Sequence, residues 1–118
     1  MSIRDKVYRT AQAEIQDGKE AKEIGNIGKA RVCARRGCGN AVEHWLQYNP
    51  KKNWGASAIS RLTQLQADES IPENIREAAE RLVKKVDQNF EIGVDIDPLR
   101  DGETIIEYFL DKKNLKEM

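Results

Sequence analysis

Apolar positions recur along most of the chain at helical spacing. Ile3, Val7, Ala11 and Ile15 fall at four-residue steps, which predicts a first helix over about residues 2–17, with Ser2 as its cap. Gly18 interrupts the stripe, and KEAKEIG then either continues the helix or forms a connector. A second helix is predicted from Asn26, an N-cap residue type, to about Tyr48, where Pro50 disfavours helical geometry at Asn49. A shorter third helix spans about residues 55–68, with Ala58, Ile59, Leu62 and Leu65 inward. Ser70 and Glu73 have the spacing of a capping box, Pro72 suits a first turn, and Ile75, Ala79, Leu82, Val86 and Phe90 give the fourth helix its stripe. EIGVDID reads as irregular. Asp97-Pro98 then opens a fifth helix with Ile105, Ile106, Phe109 and Leu110 on its apolar face, and Lys112, Lys113 and Lys116 suit the dipole at its end. Amphipathic helices with short links are buried most simply against each other. The predicted class is therefore all-α: a four-helix up-and-down bundle with an additional short helix, in one domain over residues 1–118.

The second helix departs from an ordinary amphipathic pattern. Ile27, Ala30, Ala34, Cys38, Ala41, Trp45 and Tyr48 share a narrow stripe expected to face the core. Small residues one turn apart admit a close neighbour. Gly37 and Gly39 each cost roughly 1 kcal/mol against alanine in a helix interior, so close approach of another element is expected to compensate. Val32, Gly39, Val42 and Leu46 form a second apolar patch flanked by Arg35, which predicts a partner contact, a symmetric homodimer; the alternative is that Val32 and Leu46 meet loops of the same chain. Lys29, Arg36, Asn40 and His44 lie opposite the core stripe. Arg36, Asn40 and His44 are successive four-residue steps, so their side chains can reach a common point. With Arg35 they form a candidate phosphate- or RNA-binding cluster; the competing reading is a solvated polar face, with Glu43 cancelling part of the charge.

Totals sharpen this picture. The 118 residues carry 20 basic and 20 acidic side chains, a net charge of zero, which argues against a coat for DNA or anionic membrane. Aromatics make up only 6%, in keeping with helices rather than a sandwich or barrel. Cys33 and Cys38 fall on different faces of a helix, so they are not expected to bridge, and no second pair exists to build a zinc site. Asp95, Asp97, Asp101 and Glu103 cluster near the last helix but lack calcium-loop spacing and read as helix-start acids; no metal and no cofactor is expected. MSIRDKVYRT lacks the apolar centre of a signal peptide, and no apolar run approaches the roughly 20 residues of a membrane span, so a cytoplasmic protein without a membrane partner is expected.

The order of parts, a small-residue-rich helix with a His near its end, a capped helix, and a DP-initiated last helix with IIEYFL, resembles the HEPN superfamily over nearly the whole chain. The resemblance implies a helical bundle that dimerises. Such domains are either metal-independent RNases, including toxins of toxin–antitoxin pairs encoded beside a small nucleotidyltransferase-like partner, or non-catalytic binding modules. The RNase members carry an Arg, often followed by Asn or Asp, with a His five positions after the Arg. Here the matching stretch is GNAVEH: Asn40 and His44 match, and the Arg position holds Gly39. Without that Arg, a non-catalytic interaction or nucleotide/RNA-binding module is the leading expectation. The alternatives are an RNase using Arg36, Asn40 and His44, and a structural homodimer without a ligand.

Overall fold

The computed structural model describes residues 1–84 and 97–115. Among them are five α-helices, α1 (Ile3–Glu23), α2 (Ile27–Gln47), α3 (Ala58–Gln66), α4 (Glu73–Val83) and α5 (Pro98–Leu110), followed by a 3-10 turn over Lys112–Asn114. There is no strand among the described residues, and no described helix is long and apolar enough to cross a membrane. Val86, Phe90, EIGVDI, Asp95 and Lys116 fall outside the described residues.

Helix ends follow local chemistry where it is strong. The Ser2 hydroxyl accepts from the Asp5 amide, the Asn26 side chain from Lys29, and the Asp97 carboxylate from Leu99, so α1, α2 and α5 begin where the caps predict. Other boundaries needed the fold to decide them. Of the two alternatives left open at Gly18 the helix takes continuation, and α1 runs to Glu23; a Cβ at Gly18 would stand 2.4 Å from Leu99 Cδ2 and 3.2 Å from Cys33 Cβ. The missing side chain is what lets α2 and α5 close on α1 there. The Ser70–Glu73 capping box does not form. Ser70 bonds back to Asp68, and α4 opens on Pro72 with no side-chain cap. A reciprocal box forms instead between Ser57 and Ser60, which starts α3 at Ala58 rather than at Gly55. Lys112 and Lys113 sit in the 3-10 turn beyond α5.

Contacts between helices give the topology. Gly18 lies beside Ala30 and Cys33, Gly37 beside Ala11, and Lys6 faces the same groove as His44, so α1 and α2 are an antiparallel hairpin. Leu99 reaches Gly18, Gly102 meets Ile15 and Ala34, and Arg4 bonds the Leu110 carbonyl; α5 therefore runs antiparallel to α1 and parallel to α2. Helix α3 crosses α2 at Gly39, and α4 joins α5 through a forked Arg81–Asp101 pair at 2.8 and 3.0 Å. One continuous core results. Trp45, Trp54 and Phe109 pack with ring centroids 5.0–6.4 Å apart at one end, and Leu62, Leu65, Ile75, Leu82, Ile105 and Ile106 are fully or almost fully enclosed.

The small-residue stripe of α2 faces inward as expected: Ala30, Ala34, Cys38 and Ala41 have no exposed surface. Its first member does not follow, since Ile27 is 38% exposed in the opening turn. Ile3 on α1 and Ile59 on α3, both placed inward by periodicity, are also exposed. The second apolar patch is largely covered within the chain. Val42 is fully buried, Leu46 packs on the core, and Gly39 is pressed against Ala58, while Val32 stays exposed. Helix α2 is thus apolar on two sides because it is the central helix, contacting each of the other four.

Candidate functional site

The five candidate residues of α2 do not converge. Lys29 and His44 are fifteen residues apart, about 22 Å along a helix axis. Lys29 and Arg36 are exposed, Asn40 is half-buried, and His44 is 4% exposed. Arg35 turns away from them, and its Nε donates to the Leu82 carbonyl at 2.6 Å. Beside it, Arg31, which the pattern did not single out, sends Nη2 to the carbonyls of Arg81, Leu82 and Lys84. Burial and the Arg35 charge push the Arg31 pKa down, and Asp101 partly offsets this. Two of the basic residues of α2 therefore end α4 by satisfying its last carbonyls.

What the fold does bring together lies between the first turns of α1 and the last turns of α2. Ile3, Lys6, Val7 and Thr10 face Asn40, Glu43, His44 and Gln47 across a groove of about 320 Å3. Spacing explains the two walls. Lys6 and Thr10 are one turn apart on α1, as are Asn40 and His44, and Glu43 and Gln47, on α2. The antiparallel hairpin sets them opposite each other. The Thr10 hydroxyl donates to the Lys6 carbonyl, leaving its oxygen able to accept. Glu43 leans out to Arg61 of α3 at 3.6 Å, and Lys6 makes no ion pair among the described residues. Asn40 and His44 are the two sequence candidates that line this groove; Arg36 does not.

His44 is its unusual member. Nε2 is shut off from solvent and has no hydrogen-bond partner among the described residues. Its ring meets Tyr48 edge-on with centroids 5.4 Å apart. Burial pushes its pKa down, and the positive charge of Arg4 adds to the effect. At neutral pH the imidazole is therefore uncharged. Lys6, Thr10 and Gln47 were not singled out by sequence. The signal that exists, polar residues beside Val7 on an amphipathic helix, is common to any solvated face.

The acidic cluster of α5 and its cap is committed elsewhere. Asp97 pairs with Lys22 at 3.3 Å, Glu103 with Lys19 at 2.9 Å, and Asp101 with Arg81. No group of three metal-ligating side chains occurs among the described residues. Cys33 and Cys38 are both buried and unbridged, and burial pushes both thiols up, away from the reactive thiolate.

Compared with family models, with curated proteins and with solved structures, the chain matches none.

Proposed function

We propose that the chain is a HEPN-like, non-catalytic module, a four-helix up-and-down bundle with one added short helix, that binds a nucleotide or an RNA end at the α1–α2 groove. The observation that carries this reading is the groove's own chemistry. It offers one ammonium, from Lys6, two amides, from Asn40 and Gln47, the Thr10 hydroxyl, the edge of an enclosed, uncharged imidazole, and apolar surface from Ile3 and Val7, while its one carboxylate, Glu43, leans out to Arg61. That set suits a phosphate at one end and a ribose or base at the other, in a volume at the lower end of small-molecule sites. It does not suit cleavage. A cleaving site needs positive charge aimed at the developing phosphorane, and here Arg36 stands outside the groove while the Arg position of the RNase motif is a glycine.

Isothermal titration calorimetry with AMP, ATP and a short RNA tests the reading. Binding by the wild type, weakened at least about tenfold by Lys6→Gln, is expected, since one charge-assisted contact is worth roughly 1.5–3 kcal/mol. Absence of heat with all three ligands would remove the proposal. An RNA cleavage assay separates the enzyme alternative: neither the wild type nor His44→Ala is expected to cleave, and cleavage lost in His44→Ala would establish the RNase instead.

A homodimer is a second reading, supported by the apolar side chains that stay uncovered, Ile24 at 82% and Val32 at 39% exposure. Sedimentation equilibrium decides it, with a monomer counting against. Two buried, unpaired thiols favour a reducing compartment, the cytoplasm.

A further inference from the structure

The groove has a built-in conflict at its inner wall. His44 is the chain's only histidine, and it is enclosed near the C-terminal end of α2 with Nε2 meeting no acceptor among the described residues. An imidazolium presents two N–H donors, and at least one of them would point at nothing in this seat. The surrounding charges make matters worse. From α1 come Arg4 and Lys6. The Arg4 guanidinium cannot swing away freely: its Nε donates to the Leu110 carbonyl at 2.8 Å, its Nη1 bonds Asp5 at 3.1 Å, and it stacks over Tyr8.

The nearby carboxylates are already engaged. Asp5 is held by Arg4, Glu107 of α5 accepts from the Tyr8 hydroxyl at 2.8 Å, and Glu43 of α2 pairs with Arg61. Tyr48, also on α2, offers the ring only an edge. The carbonyl end of α2 favours a positive charge at His44, but an exposed-helix effect of that kind is small beside loss of hydration. The groove, in contrast, is open space directly beside the ring, with the amides of Asn40 and Gln47 on its walls.

We propose that the α1–α2 groove is gated by a proton: when His44 is protonated its ring leaves the buried seat for the groove side, and the first turns of α1 loosen from the end of α2. The link between α1 and α2 at this end is short of polar fastening, because the side-chain bonds of Arg4 and Tyr8 run to α5 rather than to α2. Val7 of α1 and the His44 ring of α2 line the same groove here, and a charged ring has no partner in its seat among the described residues.

The direction with pH follows. In the open form His44 is solvated and takes up a proton near its ordinary 6.5, whereas in the closed form burial holds its pKa below that. The open form therefore binds more protons and gains on the closed form as pH falls below 6.5. His44 is the chain's only histidine, and histidine is the side-chain type whose ordinary pKa falls between about pH 5 and 7. Ligand binding rests on the reading of the groove given above, but the proton step does not require it.

Nuclear magnetic resonance on the full chain tests the gate without any ligand. The His44 ring signals are followed from about pH 7.5 to 5 together with the backbone amides of Lys6, Val7 and Thr10. The expected result is a ring midpoint below 6.5, with the α1 amides shifting at the same midpoint. A midpoint at 6.5 or above, or α1 amides that ignore the titration, overturns the gate. His44→Phe supplies a second measurement by keeping a ring that cannot titrate. Its melting temperature should stay level over the pH range in which the wild type loses ~5 °C; an equal loss in the variant also overturns the gate. Titration with AMP at both ends of the range then separates the two ideas. A gate that responds to pH in a protein that never binds AMP, ATP or RNA leaves the proton device standing and removes the binding function.

Discussion

Gly39→Arg, which would complete the Arg-Asn…His pattern of the RNases that the sequence resembles, is expected to unfold much of the domain rather than create a nuclease. The sequence invites the opposite guess, since the change would turn GNAVEH into a full Arg-Asn…His pattern. Packing decides against it. A single Cβ at this position would lie 2.9 Å from Ala58 Cβ and 3.3 Å from Ala58 Cα. The second of these is backbone, held in place by the Ser57–Ser60 box at the start of α3, and it cannot yield as a flexible side-chain tip would. An arginine must either drive α3 off α2 or bury its guanidinium beside Val42, which has no exposed surface. Overpacking costs about 1–3 kcal/mol, and an unpaired buried charge adds about 3–5 kcal/mol, so a loss of at least about 4 kcal/mol is expected. For a chain of this size that is a fall of more than about 10 °C in melting temperature. Gly39→Ser, which adds one small side chain, should fall between this variant and the wild type. Thermal denaturation followed by circular dichroism, with an RNA cleavage assay on whatever remains folded, gives the answer. A stable Gly39→Arg protein that cuts RNA would show that the domain is a nuclease one residue away from activity.

The same glycine shows what can be read from the chain and what cannot. That α2 exists, starts at Asn26 and faces its alanines inward was legible, because cap, spacing and the proline after it are local and agree. That α5 starts at Asp97-Pro98 was legible for the same reason. Whether α1 continues through Gly18 stayed open in the sequence, since the local cost of glycine is visible while the approach of Leu99 and Cys33, far away in sequence, is not. The cap of α4 failed because Ser70 had a nearer partner in Asp68. The Ser57–Ser60 box escaped notice because it uses serine where glutamate is the usual partner. At the groove, periodicity placed Asn40 and His44 on one face but could not say that the face is closed by residues 3–10 of α1, which depends on the hairpin register. Nor does an arginine carry any mark of its acceptor: Arg35 looked available for phosphate and is bonded to a helix end.

That helix end carries the second large effect. Arg31→Ala is expected to cost about 2–4 kcal/mol, more than any exposed arginine of the chain. One guanidinium nitrogen lies 2.6 Å from the Lys84 carbonyl, 3.0 Å from Arg81 and 3.1 Å from Leu82, and Arg35 takes a second bond to Leu82. These are the carbonyls that α4 leaves open as it ends at Val83, and Leu82 itself is fully buried. Removing the donor strands at least one acceptor away from water, at roughly 1–3 kcal/mol for each group left bare, while those that reach solvent recover part of the loss. Arg81 is affected as well. Its fork holds Asp101 of α5, so slack at the end of α4 weakens the α4–α5 contact. Arg31→Met keeps most of the apolar stem and removes only the donors; it should lose nearly as much as alanine, whereas an effect of packing alone would leave it close to the wild type. Arg35→Ala, which gives up one bond from a half-buried side chain, should lose about 1 kcal/mol. Urea denaturation of the four proteins ranks them, and hydrogen exchange at the amides of Leu82, Val83 and Lys84 locates the damage. If Arg31→Met unfolds at the wild-type midpoint, the carbonyl end of α4 is served adequately by water, and the basic side of α2 has to be explained by a ligand rather than by the fold.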